Sequence, residues 1–201
     1  QPSAEIMAKH PAHILKKPLV LATASERRRK ILASIGVPFE AAVPDVEEVT
    51  YPDDPRRTAA ENALRKSEWA RARYPGRMTI TADTVIDFKG RVIGKPANMR
   101  EARAFLRRFS GDRHTVITAV VLALPGRGAD LNIVESQVVF KTLTAGQIRD
   151  YCSRVNPLDK AGGYDIDQQG DVIIESFSGS RTNIMGLPRE TVEAWLKRIE
   201  D

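Results

Sequence analysis

Leu19-Val20-Leu21-Ala22-Thr23-Ala24-Ser25-Glu26-Arg27-Arg28-Arg29-Lys30-Ile31-Leu32 is the stretch whose reading decides the fold. Leu19 to Ala22 is a short apolar run, too short for a signal sequence and followed at once by basic residues, so it reads as a buried first strand. Ser25 then reads as the N-cap of a helix whose apolar face is Ile31, Leu32 and Ile35 and which Gly36 closes. The first turn of that helix is anomalous. Three consecutive arginines sit at the positive end of the helix dipole, where each costs about 0.3–1 kcal/mol and Asp or Glu would be favoured. Free N–H groups, a serine hydroxyl and several guanidinium groups together suit an anion such as phosphate. The competing reading is a solvated basic turn.

Outward from this unit, strands and helices alternate. A strand over 39–43 leads to an acidic loop with Asp45, Glu47 and Glu48. Residues 55–73 read as a helix with a narrow small-residue face, Ala60, Ala63, Leu64, Ser67 and Ala70, stopped by Pro75-Gly76. Residues 78–88 read as a strand that turns at Lys89-Gly90 into 91–93. Asn98 and Glu101 cap a helix with the core face Ala102, Phe105, Leu106 and Phe109. Two β-rich runs, 115–124 and 131–143, are followed by a helix that Thr144 and Gln147 cap and that runs through Tyr151. A strand over 171–177 precedes a last helix, started by Pro188, with Val192, Trp195, Leu196 and Ile199 inward. The pattern is α/β, or mixed α+β, around one connected core. Residues 1–17, with His10 and His13, read as a flexible extension and 18–201 as a single domain.

Composition narrows the classes. The chain of 201 residues is 42% hydrophobic and 28% charged, which excludes a disordered tail, a collagen-like rod and a disulfide-stapled miniprotein. A single cysteine, Cys152, cannot form an internal disulfide, and no run approaches the roughly 18 apolar residues of a membrane span. A soluble, cytoplasmic protein with no membrane partner is expected. Lys and Arg number 31 against 26 Asp and Glu, a net charge of +5, which fits nucleic acid or any polyanionic substrate. Aromatics are only 6%, so the basic-aromatic interleaving of a single-strand binder is missing.

Asp83 is the second anomaly, because it lies mid-strand among apolar and β-branched neighbours where an unpaired charge is costly. It needs a metal, a cationic partner or a raised pKa. The register of the Lys89-Gly90 turn sets Lys95 opposite Thr84, one step from Asp83. A carboxylate that holds a divalent ion or activates water, beside a phosphate-holding lysine, makes a hydrolytic centre. A purely structural Asp–Lys pair is the alternative. Glu48 and Lys66 are weaker signals, since acidic loops and helix-surface lysines are usually solvated. The chain has neither G-x-x-x-x-G-K-[ST] nor G-x-G-x-x-G, and no Cys/His cluster for zinc. His114, flanking a β-run, reads as structural.

Leu19-Val20-Leu21-Ala22-Thr23-Ala24-Ser25-Glu26-Arg27-Arg28 resembles the opening L-x-L-A-S-x-S-x-R-R of the Maf-like nucleotide pyrophosphatases. Ala82-Asp83-Thr84 and Gly94-Lys95-Pro96 resemble that family's A-D-T and G-K-P motifs in order and spacing. Phe109-Ser110-Gly111, Leu158-Asp159-Lys160-Ala161-Gly162 and Gly186-Leu187-Pro188 match further segments, so the likeness runs from about residue 18 to the C-terminus. It implies an inosine-triphosphatase-like fold: an elongated mixed sheet, flanking helices and a central cleft between two lobes. It also implies hydrolysis of a nucleoside triphosphate between its α and β phosphates, assisted by Mg²⁺ or Mn²⁺. Carried over residue by residue, the proton acceptor falls on Asp83, with Glu48 helping to hold metal. The phosphate clamp falls on Arg27, Arg28, Lys66 and Lys95, and the motif serine on Ser25.

One departure touches substrate choice. Pyrimidine-preferring members, which cleave dTTP and UTP, carry a glutamine where this chain has Asp167, and a carboxylate only accepts where an amide also donates. Gln168, one residue on, is the substitute. Thr84 resembles the dTTP/UTP branch rather than the 7-methyl-GTP branch. Two alternatives stand beside dTTP/UTP hydrolysis: a pyrophosphatase for 7-methyl-GTP or another modified nucleotide, and a non-catalytic nucleic-acid-binding regulator of division. Asp83 argues against the second, because a groove for a phosphate backbone gains nothing from a carboxylate. A homodimer is compatible with the sequence.

Overall fold

The computed structural model describes residues 17–200; the extension read over 1–17 lies outside them apart from Lys17, as do His10 and His13. In chain order the elements are β1 Leu19–Ala22, α1 Glu26–Ile35, β2 Phe39–Ala42, α2 Pro55–Arg73, β3 Thr79–Phe88, β4 Arg91–Ile93, α3 Met99–Phe109, β5 Arg113–Ala123, β6 Ala129–Phe140, α4 Ala145–Arg154, α5 Gly170–Ile173, β7 Ile174–Ser178, α6 Arg181–Ile184 and α7 Arg189–Glu200. The fold is the expected mixed α/β type, one sheet in the order β2-β1-β3-β5-β6-β7 with β4 also on β3. Strand β1 runs parallel to β2 and β3, reached through helical crossovers, while β3, β5, β6 and β7 pair antiparallel.

Strand β3 organises everything else. One edge is paired with β5 from Thr79↔Ala123 to Asp87↔Thr115. The other edge meets β1 only as far as Ala22↔Thr81, and β4 only from Ile86↔Ile93 onward. Residues 82–85 therefore have no strand partner on that side. This break in the ladder opens the sheet at Asp83 and Thr84, and the cleft forms there.

The break also divides the core. On one face of β3, Ile80 and Ala82 pack with Leu32, Leu187 and Trp195, whereas Ile86 and Phe88 pack with Phe105, Phe109 and Tyr151. On the other face Val85 joins Ile117, Ala119 and Val121 against Ala59 and Ala63 of α2. Each large apolar side chain fully buried in this way contributes about 1.5–3 kcal/mol.

Local signals carry the element ends. Ser25 Oγ accepts from Arg28 N, Gly36 closes α1 in the left-handed region, and Thr144 and Gln147 form a reciprocal capping box. Lys89 and Gly90, with φ of 55° and 78°, make the tight hairpin turn between β3 and β4. The inward face of α2 differs from expectation: Thr58, Ala59, Asn62, Ala63, Lys66, Ser67 and Ala70 are buried, while Leu64 is exposed. The expected strand over 171–177 begins instead as α5, and pairing with β6 starts only at Ile174.

Candidate active site

Ser25, Arg27, Arg28, Glu48, Lys66, Asp83, Thr84 and Lys95 all line one cavity of about 960 Å³ at the break in β3. One wall is the N-terminus of α1. Arg28 is drawn inward there by two acceptors: its Nε donates to Gly186 O at 2.7 Å and its Nη2 to Thr84 Oγ1 at 3.0 Å. The direction of the next bonds follows from chemistry. Thr118 Oγ1 lies 3.2 Å from the Asn183 carbonyl, which can only accept, so Thr118 donates there and accepts from Thr84 at 2.9 Å. The Thr84 hydroxyl is thus spent holding Arg28. Burial lowers the Arg28 pKa, Asp83 opposes that shift, and Arg27 adds to it.

The backbone at residue 186, which supplies the carbonyl acceptor, takes a conformation that favours glycine. Its φ is +107°, and a Cβ there would meet Arg28 Nε and Thr84 Oγ1 at 3.4 Å each. Arg27, beside Arg28, faces Asp165 Oδ2 at 3.7 Å.

The opposite wall is α2 with the acidic loop. Lys66 Nζ donates to Asp83 Oδ1 at 2.7 Å and lies 2.8 Å from Glu48 Oε1. Lys66 and Asp83 are each only 7% exposed, so the ammonium offsets a carboxylate charge that water barely reaches. Asp83 Oδ2 has no hydrogen-bond partner among the described residues. Burial works to raise the Glu48 pKa, but the Lys66 hydrogen bond and the charges of Lys66, Lys95 and Arg28 hold it below the usual carboxylate value. Asn62 fixes the loop: its Oδ1 accepts from Val49 N at 2.8 Å and its Nδ2 donates to Val49 O at 2.9 Å.

Lys95 stands differently from expectation. The predicted hairpin register is correct, but the ladder stops at Ile86↔Ile93, short of Lys95. The partner of Asp83 is Lys66, the weaker of the two lysine signals, while Lys95 is an exposed lining residue whose charge acts on Glu48.

Asp167 turns away from the cavity and does not line it; its Oδ1 accepts from Arg181 Nε at 3.0 Å and Nη2 at 2.6 Å. Gln168 does line it, and its Nε2 donates to Asp165 Oδ2 at 3.1 Å. Sequence reasoning missed Asp165 and Lys160, buried charges at 1% and 4% exposure. Lys160 lines the cavity and donates to Asp159 Oδ1 and Asn156 O; the charged residues among the glycines of 158–163 were the available signal.

Cations on both walls, helix N–H groups and a carboxylate with one free oxygen can hold a polyphosphate and direct a water at it. His114 takes no part. It is buried, bonded to Tyr164 Oη at 2.7 Å, and burial pushes its pKa down to about 3. Among the described residues no group of three or more His, Cys, Asp and Glu forms a metal cage, and no helix is long and apolar enough to cross a membrane.

Residues 18–199 match the family model described as Maf-like protein. The chain is 39% identical over 173 residues to the dTTP/UTP pyrophosphatase of Symbiobacterium thermophilum, covering 85% of this chain and 88% of that protein. It is 39% identical over 181 residues to the dTTP/UTP pyrophosphatase of Thermus thermophilus, covering 90% and 94%. Among solved structures it resembles the Staphylococcus aureus Ham1 protein, with a TM-score of 0.52 and 15% identity over 90% of this chain and 99% of that one. That likeness is one of fold.

Proposed function

This chain belongs to the Maf-like protein family, and from that premise we propose that it hydrolyses dTTP or UTP at the α–β phosphoanhydride, giving the monophosphate and pyrophosphate. The observation that carries the reading is Asp83, with Oδ1 held by Lys66 and Oδ2 free, facing a cavity whose other wall is the arginine-bearing N-terminus of α1. Relatives bearing the name dTTP/UTP pyrophosphatase support the nucleotide class.

Arg27, Arg28, Lys66 and Lys95 bind the triphosphate, with Ser25 and the first N–H groups of α1 receiving phosphate oxygens. Asp83 Oδ2 accepts the proton of the attacking water, and Lys66 holds the carboxylate so that this oxygen points at the phosphorus. Thr84 acts through Arg28, whose guanidinium it orients. Gln168 contacts the base, because it offers a free amide oxygen in the lining, whereas the amide of Asn62 is consumed by Val49. Asp167, paired with Arg181, stands outside this contact.

Glu48 and Asp83 fit a divalent cation. Both are hard oxygen donors reaching one ammonium, and Mg²⁺ is commonly held by one or two carboxylates plus substrate phosphates rather than by an all-protein cage. When bound, Mg²⁺ or Mn²⁺ supplies neutralising charge to the phosphate oxygens.

The test is phosphorus NMR of dTTP and UTP turnover with Mg²⁺. Pyrophosphate and monophosphate are the expected products; diphosphate plus inorganic phosphate, or no turnover, would refute the reading. Running 7-methyl-GTP and the common triphosphates in parallel separates the dTTP/UTP assignment from a modified-nucleotide activity.

A further inference from the structure

Asp165 is a buried carboxylate that the catalytic scheme does not use, and its connections are unusual. Its backbone is fixed by one phenol: Asp165 N donates to Tyr151 Oη at 2.9 Å and Asp165 O accepts from Tyr151 Oη at 3.3 Å. Its Oδ1 accepts from Asp167 N at 2.9 Å. Its Oδ2 accepts from Gln168 Nε2 at 3.1 Å and faces Arg27 Nη1 at 3.7 Å. One oxygen atom is therefore shared by Arg27, at the N-terminus of α1, and by the amide of Gln168, which lines the same cavity.

A carboxylate oxygen only accepts, so Gln168 must present its NH₂ to Asp165. Its Oε1 then faces the other way, and no described residue donates to it. We propose that Asp165 is a positioning residue that fixes Gln168 with its carbonyl oxygen toward the ligand and so selects bases with an N–H at that edge, uracil and thymine over cytosine. Uracil and thymine carry N3–H, which donates to such an oxygen, whereas cytosine offers an N3 lone pair that it repels. The inference rests on reading the cavity as a nucleoside triphosphate site.

Asp165→Asn tests it with almost no change in shape. Asp167 N–H keeps the Asn carbonyl oxygen on its own side, so the new NH₂ falls where Oδ2 stood. Gln168 must then flip, giving Oε1 to Asn and NH₂ to the cavity. The ratio of kcat/KM for UTP over CTP is expected to fall about tenfold or more, whereas a merely structural role lowers both substrates alike. Gln168→Leu should lower the same ratio and serves if Asp165→Asn does not fold. UMP and CMP affinities by calorimetry, on wild type and variants, give the same comparison without turnover. Absence of turnover with any triphosphate would refute the pyrophosphatase reading alone. A UTP:CTP ratio, or UMP:CMP affinity ratio, left unchanged in folded variants would overturn the role of Asp165.

Discussion

Lys66 Nζ and Asp83 Oδ1 lie 2.7 Å apart, both almost fully buried, joining the middle of α2 to the stretch of β3 that is paired on one edge only. The pair leaves one carboxylate oxygen without a partner, so it is a structural link that, on the proposed reading, also supplies the proton acceptor. Asp83→Asn keeps the shape and the contact with Lys66 but removes the proton acceptor. Pyrophosphate release should fall by at least about 10², with a smaller loss of thermal stability than removal of Lys66 brings, because Glu48 Oε1 still lies 2.8 Å from the ammonium. A folded Asp83→Asn protein with near-normal turnover would remove Asp83 from the chemistry.

Removing the other partner should cost stability as well as substrate binding. Lys66→Met leaves a buried carboxylate uncompensated, a change of the kind that costs roughly 3–5 kcal/mol. The double variant Lys66→Met with Asp83→Leu replaces the pair by apolar groups and should recover most of that loss. Urea unfolding of the wild type and the variants checks this. A Lys66→Met protein as stable as wild type would mean that the pair carries no coupling energy.

Much of this was legible in the sequence, for a physical reason. Caps and tight turns are local: Ser25, Asn98 and Thr144 satisfy N–H groups three residues away, and Lys89-Gly90 sets the register of β3 on β4. The site was legible where a residue contradicted its local setting, as the first-turn arginines and mid-strand Asp83 do. What stayed hidden depends on distant partners. Lys66 on a helix looks solvated until Asp83, 17 residues away, reaches it, and the inward face of α2 shifts with it, exposing Leu64. Asp165 is hidden in the same way, since Arg27, which it faces at 3.7 Å, lies far from it in the sequence.

Gly186→Ala probes the approach of Arg28. A residue other than glycine at φ of +107° pays about 1–3 kcal/mol in backbone strain, and relief of that strain shifts the Gly186 carbonyl that holds Arg28 Nε. The variant should melt lower and show a raised KM for the triphosphate. A higher Tm with unchanged kinetics would mean that Arg28 does not depend on this close approach.

Acid should destabilise the fold through His114. Burial lowers the His114 pKa to about 3, against about 6.5 for the unfolded chain. Between those values the unfolded state holds a proton that the folded state does not, so unfolding gains on folding as pH falls. The contribution of His114 is intact above about pH 6.5 and is lost toward pH 3, at roughly 1.4 kcal/mol per pH unit. His114→Gln keeps a group able to bond Tyr164 Oη but removes the titration. The stability difference between wild type and His114→Gln should therefore shift toward the variant as pH drops from 7 to 4.5. NMR should show the His114 ring still neutral at pH 5. A ring titrating near pH 6.5, or a stability difference independent of pH over that range, would show that the Phe109 and Phe140 rings around His114 do not keep the proton out.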